Sequence, residues 1–158
     1  MTRKLHCGMA LLGRRSGRRR SLIGRVALLG FIALSPLSSA AESEVVDGRT
    51  AVILDGDTVA FGSERVRIIN IEAPGISEPD CEREEIFALR SRQRLAELIR
   101  SGPVTIERAG RDHLGRTLAR LVLADGREVA AVLVEEGLAL PWHEGPEARE
   151  ARRRHWCG

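Results

Sequence analysis

The sequence lacks the cysteine and histidine spacings that mark zinc sites. It contains neither a CxxC nor an HExxH pattern, and only three of its 158 residues are cysteines. A zinc centre therefore has no support. Internal repeats and low-complexity tracts are also missing, and a chain of this length is enough for one domain with a core but short for two.

Acidic side chains are missing from residues 1–40, which carry 8 of the 25 basic ones. An arginine-rich start, an apolar stretch over 26–37 and then small residues predict a signal peptide over 1–40, with cleavage near Ala40 or Ala41. An uncleaved membrane anchor is the alternative, but the stretch is short of the roughly 20 residues that span a bilayer. We therefore expect a secreted or periplasmic protein with no stable membrane association after cleavage.

Two export routes fit this leader. The pattern R-R-S-L-I from Arg19 to Ile23 resembles the twin-arginine signal, and Sec export is the alternative. Removing the leader also reverses the charge of the chain. The 17 basic residues that remain from Ala41 onward face all 22 acids, which gives a net charge of −5. The basic pI of about 9.2 thus belongs to the leader and not to the domain predicted over 41–158.

Export also changes the role of the cysteines. Cys7 leaves with the leader, so Cys81 and Cys157 remain as a pair in an oxidising compartment. We predict a disulfide between them, with two free thiols as the alternative. On the chain-entropy view, closing so long a loop would stabilise the fold by about 4 kcal/mol.

Turn-forming residues divide the domain into short apolar segments. After a flexible lead-in over 41–48, the pattern predicts three strands, a loop over 73–80, a helix over Glu82–Arg100, two further strands and a helix over Glu128–Glu136. The strands are expected over 50–54, 58–61, 66–71, 104–107 and 117–123. This order favours an α+β, mainly β fold, a five-stranded barrel closed by helices, over a parallel α/β sheet.

Three carboxylates lie at the ends of these predicted strands. Asp55 and Asp57 flank Gly56, and Glu72 closes the third strand. Oxygen ligands of this kind suit a hard cation such as Ca²⁺ or Mg²⁺, and glycine lets the backbone approach closely. The alternative is a plain Asp-Gly turn with a solvated glutamate at a strand end.

Two arginines lie in positions that suggest an anionic ligand. Arg67 sits in an apolar run where an unpaired charge would be costly, and Arg116 begins the fifth strand. Planar guanidinium groups suit phosphate oxygens. The alternative is a pair of structural ion pairs, Arg67 with Glu72 and Arg116 with Asp112. Strand alternation places Arg67 and Glu72 on opposite faces, so a bulge or the strand's end must redirect one of them.

Four segments, in this order, resemble the staphylococcal nuclease (thermonuclease) family: D-G-D-T-V, R-I-I-N-I-E-A-P, G-R-D-H-L-G-R-T-L-A-R and E-E-G-L-A-L-P-W. The resemblance covers 48–142. It implies an OB-fold five-stranded antiparallel barrel with two to three helices. It also implies a Ca²⁺-dependent endonuclease that hydrolyses phosphodiester bonds of DNA and RNA to 3′-phosphate products. Single-stranded DNA and RNA are the expected substrates, and a monomer is the expected state.

The resemblance also implies roles for individual residues. Ca²⁺ would be bound by two carboxylates and one backbone carbonyl, with a further acid beside the metal, and two arginines would bind the phosphate and act in catalysis. The two carboxylates are Asp57 and Glu72, and the backbone carbonyl is that of Ala73. Asp55 is the further acid, and Arg67 and Arg116 are the two arginines.

The chain has glutamate and alanine at Glu72 and Ala73, where the family usually has aspartate and threonine, and it departs from the family pattern at two further places. Gly75 stands where the family has the glutamate that positions or deprotonates the attacking water, and Glu78 in the same loop is a hypothetical substitute base. The family also sandwiches a nucleobase between tyrosines, and this chain has no tyrosine. Trp142 or His143 lies near one of those positions, and Trp142 capping the barrel is the alternative. The competing function is a non-catalytic OB-fold module that binds nucleic acid or protein.

Overall fold

The computed structural model describes residues 42–158. The predicted signal peptide over 1–40 and its cleavage site lie outside this range. In the part of the chain that the structure describes, none of the helices has the length and apolarity needed to cross a membrane.

A curled six-stranded sheet forms the body of the fold. Its strand order is β1-β6-β7-β4-β3-β2, and a separate pair joins β5 to β8. The strands are β1 Ser43–Asp47, β2 Val52–Asp55, β3 Thr58–Phe61, β4 Glu64–Ile68, β5 Ile71–Glu72, β6 Pro103–Arg111, β7 Thr117–Leu123 and β8 Leu140–Pro141; the helices are α1 Glu82–Arg100, α2 Val129–Glu135 and α3 Pro146–Cys157. The mainly β class with an OB-like sheet and helices is confirmed.

The sheet has one strand more than predicted. The expectation of a flexible lead-in over 41–48 is wrong, because β1 pairs with β6 at five consecutive positions. Four of the five residues of β1 are exposed, so the strand shows no apolar alternation to indicate it. An edge strand of this kind is stabilised mainly by its pairing partner, which the local sequence does not contain.

One neighbouring pair is parallel, whereas the prediction was an antiparallel barrel. Val66 in β4 lies opposite Thr117 in β7, and the two strands run in the same direction. Parallel neighbours need a long crossover, and here the connection includes α1 and β6. This pairing brings the end of β4 beside the start of β7, where the residues described below converge.

The core lies between the curled sheet and the inner face of α1. α1 begins and ends where it was predicted, and it buries Leu95, Leu98 and Ile99 against the sheet. Ile86 and Leu89, two apolar residues nearer the start of this helix, are 44% and 52% exposed. The first half of α1 therefore extends past the core.

The C-terminal helix is bound to the start of α1. The predicted disulfide between Cys81 and Cys157 is present, with the two Cα atoms 5.9 Å apart. The neighbouring Trp156 is buried and packs against Phe87 with ring centroids 5.2 Å apart. These contacts hold both ends of the segment 81–157 next to the loop over 73–80.

A partly buried ion pair joins three strands of the sheet. Arg108 in β6 donates to both carboxylate oxygens of Glu64 in β4, at 2.9 and 2.7 Å, and the hydroxyl of Thr117 in β7 donates to Glu64 at 2.8 Å. The hydrogen bonds from Arg108 lower the pKa of Glu64 from near 4.5 to about 2, against the opposing effect of burial. Sequence reasoning missed this pair.

The Glu64 pair predicts a specific acid sensitivity. A carboxyl whose pKa is lowered in the folded state stabilises that state above its unfolded pKa, and the stabilisation is lost as the pH falls towards about 2. Glu64→Gln should therefore lower the free energy of unfolding at pH 7, by on the order of 1–2 kcal/mol. When the pH is lowered from about 5 to 2, the urea midpoint of the Glu64→Gln variant should fall less than the urea midpoint of the wild type.

Glu107→Gln is the matched control, because it removes an exposed pair with Arg120 on the same sheet. Equal acid-induced losses of stability in Glu64→Gln and the wild type would contradict the assignment.

Candidate active site

The D-G-D turn between β2 and β3 places Asp57 against the backbone of Ala73. A Cβ atom at Gly56 would lie 2.7 Å from the Cβ atoms of both Ala73 and Ser91, so only glycine fits here. Asp57 is buried; its Oδ2 accepts from the amide of Ala73 at 3.0 Å and its Oδ1 from the hydroxyl of Thr58 at 2.9 Å. Both carboxylate oxygens are therefore held in fixed directions.

Arg67 lies between two carboxylates. Its Nη1 contacts Oδ2 of Asp57 as an ion pair without hydrogen-bond geometry, and its Nη2 donates to Glu72 at 2.7 Å and to the carbonyl of Ile71 at 3.2 Å. Only 12% of the Arg67 side chain is exposed, against 10% for Asp57 and 29% for Glu72. Arg67 therefore has two anionic partners, and its apolar surroundings led us to expect at least one.

A turn between β4 and β5 brings Arg67 and Glu72 together. β4 ends at Ile68, and Asn70 adopts the left-handed conformation with φ of 66° before β5 begins at Ile71. Asparagine tolerates this conformation better than most residues. Because the strand is interrupted, the alternation that placed Arg67 and Glu72 on opposite faces does not extend to Glu72.

Arg116 is held by the loop between β6 and β7. Oδ1 of Asp112 accepts from the amides of Leu114 and Arg116 at 3.0 and 2.9 Å, and its Oδ2 accepts from Nε of Arg116 at 2.7 Å. Although burial opposes it, these bonds from Arg116 hold the pKa of Asp112 below its ordinary value. Both ion pairs of the structural alternative, Arg67 with Glu72 and Arg116 with Asp112, are therefore present.

Both arginines nevertheless face one open cavity of about 500 Å³. Trp142 lies at its edge with its side chain about half exposed, and the Trp142 amide donates to the carbonyl of Asn70 at 2.9 Å. Eleven residues line the cavity, and besides the two arginines those with polar or aromatic side chains are Asn70, Glu72, Asp112, His113 and Trp142. Two guanidinium groups and an aromatic ring around one space can bind a phosphate that carries a nucleobase.

Not every predicted site residue reaches this cavity. His143 and Glu78 are exposed and do not line it. His113 does line it, although sequence reasoning did not single it out. The signal was available, because His113 lies inside the G-R-D-H-L-G-R segment.

The acids around Arg67 carry more negative charge than the nearby arginines neutralise. Asp55 is next to Asp57, and its pKa is raised first by burial and further by the charge of Asp57, while hydrogen bonding from Gly56 opposes the rise. Arg92 is the second cation near Asp55, but its hydrogen bonds go to the carbonyl of Ile53. Three carboxylates thus face two guanidinium groups.

This donor set fits a hard divalent cation in its chemistry. Carboxylate and backbone carbonyl oxygens are the ligands that Ca²⁺ prefers, and the uncompensated negative charge favours a cation. In the described range 42–158 the oxygen atoms of the three carboxylates do not all lie within 4.8 Å of one another, and Arg67 contacts both Asp57 and Glu72. The one such cluster in this range is Cys81, Glu84 and Cys157, whose two sulfur atoms form the disulfide.

Gly75 has no structural requirement for glycine. Its φ lies outside the left-handed region, and a Cβ atom at this position would meet nothing within 4 Å. A side chain can therefore begin at Gly75 without its Cβ atom displacing a neighbour.

Comparison with known proteins agrees with this arrangement. The family model for staphylococcal nuclease homologues matches residues 65–155, which include Arg67, Glu72 and Arg116. The chain is 33% identical over 152 residues to the succinoglycan biosynthesis protein ExoI of Rhizobium meliloti, an alignment that covers 89% of this chain and 76% of that protein.

Two further relatives carry the name uncharacterized endonuclease. The one from Escherichia coli O157:H7 is 27% identical over 125 residues, covering 70% of this chain and 77% of the relative. The one from Haemophilus influenzae is 28% identical over 120 residues, covering 73% and 63%. With the site geometry and the family match, these similarities lead to one conclusion: the chain belongs to the staphylococcal nuclease homologue family.

Proposed function

We propose that this protein is an exported, Ca²⁺-dependent nuclease that hydrolyses single-stranded DNA and RNA to 3′-phosphate products. The family and the relatives named endonuclease support a nuclease function. The observation that carries the finer proposal is the cavity shared by Arg67, Arg116 and Glu72, with Arg67 bridging Asp57 and Glu72. The composition of residues 1–40 supports export. We propose that the protein acts as a monomer.

The two arginines would bind the non-bridging oxygens of the scissile phosphate and stabilise the charge that develops during attack. In this role Arg67 would exchange one of its acidic partners for the phosphate. Glu72 is the more exposed partner, at 29% against 10% for Asp57, so it is the one that Arg67 would release. Asp112 already orients Arg116 through Nε and would keep it in place.

Ca²⁺ would be held by Asp57, Glu72 and the carbonyl of Ala73, with Asp55 beside them. When bound there, the ion supplies positive charge that polarises a phosphoryl oxygen and favours attack by water. The water would attack in line with the leaving 5′ oxygen. Gly75 offers no carboxylate to activate this water, and general-base assistance typically contributes about 10²–10⁴ in rate. We therefore propose a slow enzyme, with Glu78 as a substitute base.

A non-catalytic OB-fold binding module is the second candidate. Gly75 favours it, because binding of metal and phosphate needs no base. The two ion pairs that occupy Arg67 and Arg116 fit it as well. A cleavage assay separates the two candidates.

We expect the purified mature protein to cleave single-stranded DNA and RNA with Ca²⁺ and to lose this activity in chelator. Arg116→Ala removes a donor to the transition state and should lower kcat by about 10²–10³. Asp57→Ala should raise the Ca²⁺ concentration needed for cleavage. Arg120→Ala is the control, since it removes an exposed ion pair on the same strand, β7, and should leave the rate unchanged. Nucleic-acid binding without any cleavage would favour the binding module.

Restoring the family's glutamate tests the account of the missing base. Gly75→Glu should raise kcat by about 10²–10⁴, because a carboxylate would then be available to the attacking water. Gly75→Gln is the matched control; it has the same shape and no basic carboxylate, and it should stay at the wild-type rate. An unchanged rate in Gly75→Glu, with the protein folded, would show that base catalysis does not limit this enzyme.

The role of Glu78 is tested separately. Glu78→Gln should lower kcat in the wild-type background if Glu78 is the base, by less than the gain expected from Gly75→Glu, because a substitute base in a slow enzyme supplies only part of that assistance. It should have no effect in the Gly75→Glu background, where the new glutamate replaces it. Glu85→Gln on the exposed surface of α1 serves as the control. Wild-type activity in Glu78→Gln would end the hypothesis.

A further inference from the structure

A second cavity adjoins the candidate active site. It has a volume of about 260 Å³, and three arginines line it, Arg65, Arg111 and Arg116. Arg116 also lines the larger cavity that contains Arg67, so the same side chain borders both spaces. The two cavities therefore follow one another along the surface, on either side of Arg116.

The strand register explains why these arginines meet. Arg65 and Arg67 are two residues apart in β4, so their side chains leave the same face, about 6.6 Å apart along the strand. Thr117 in β7 pairs with Arg111 in β6 on one side and with Val66 in β4 on the other. These pairings bring Arg65, Arg111 and Arg116 to one end of three adjacent strands, and all three side chains line the cavity.

These side chains are available for an anion. In the described range 42–158 neither Arg65 nor Arg111 forms a salt bridge with an acid, whereas Arg67 and Arg116 both do. Arg111 donates from Nη1 to the carbonyl of Gly115 at 3.0 Å, which holds its guanidinium at the cavity and leaves its other donors free. The contact therefore orients Arg111 before any ligand arrives.

The cavity is positively charged although the domain as a whole is acidic. Glu64 is the one acidic residue that lines it. The Glu64 carboxylate is already bound by Arg108 and by the hydroxyl of Thr117, so its charge is largely compensated. Three guanidinium groups therefore surround a space in which no carboxylate is free to pair with them.

We propose that Arg65 and Arg111 form a second phosphate subsite, which binds the backbone phosphate next to the scissile one in a single-stranded nucleic acid. The proposal rests on the proposed function, because it assigns the scissile phosphate to Arg67 and Arg116. Arg116 lies between the two phosphates and contributes to both cavities. In an acidic domain this local positive charge supplies an attraction for the nucleic acid backbone that the overall charge does not.

The subsite predicts how binding depends on substrate length and salt. With fluorescent oligothymidylates in chelator, the wild type should bind a trinucleotide better than a dinucleotide, by about tenfold. The double variant Arg65→Ala/Arg111→Ala should lose most of this gain, and its salt slope for longer oligothymidylates should fall by about 1. In Ca²⁺, the advantage of longer substrates in kcat/KM should shrink as well.

Arg120→Ala/Arg127→Ala is the matched control. It removes the same charge from β7 and the turn that follows it, away from the cavity, and both arginines are exposed and paired with acids, Glu107 and Asp125. If both double variants change length dependence and salt slope equally, the subsite is disproved while cleavage by the wild type stands. If the wild type does not cleave but the Arg65/Arg111 variant alone loses the length dependence, the subsite stands and the nuclease proposal fails.

Discussion

The contact of Arg67 with Asp57 and Glu72 is the interaction on which the rest of the site depends. A guanidinium that is only 12% exposed needs anionic partners, and this one ties the turn after β2 to β4 and β5. Asp57 in turn holds the amide of Ala73. Removing one partner of such a buried pair typically costs about 3–5 kcal/mol, because the other charge is left unpaired. The segments that carry the candidate metal ligands therefore share one electrostatic centre.

This centre also creates a conflict between stability and function. The acids that stabilise Arg67 in the free protein are those that would bind Ca²⁺, and the guanidinium that neutralises them would bind phosphate. A cation and a phosphate arriving together would satisfy both sets of groups, since the acids would take the cation and the arginine the phosphate. The charge of Arg67 is thus neutralised by its own acidic partners without ligands, and under the proposed function the site would gain more from binding both ligands than from either one alone.

Charge is distributed unevenly over this small domain. From Ala41 onward it carries a net charge of −5, yet three of its arginines, Arg65, Arg111 and Arg116, line one cavity where β4, β6 and β7 meet. Glu64, which could cancel them, is instead bound by Arg108 and Thr117. An ion pair inside the sheet thereby leaves the surface arginines available. Net charge alone would have argued against nucleic-acid binding, whereas the local arrangement supports it.

Much of the local structure could be predicted from the sequence. α1 was predicted at its observed ends, because its apolar spacing is regular and Ser-Gly-Pro stops it. The strand β1 was missed because it is exposed and stabilised by a partner far along the chain. The candidate metal and phosphate residues were identified by their order in four family-like segments, while strand alternation alone would have separated Arg67 from Glu72.

The sequence by itself determined which chemical groups the protein has: oxygen ligands, guanidinium groups, a glycine in place of a glutamate, and the pair Cys81 and Cys157. These follow from residue identity and local order. Only the tertiary structure decided which groups share a space. The left-handed turn at Asn70 joins Arg67 to Glu72, and the pairings of β7 with β4 and with β6 place Arg65 and Arg111 beside Arg116. Both depend on contacts between residues whose spacing along the chain does not specify their spacing in the fold.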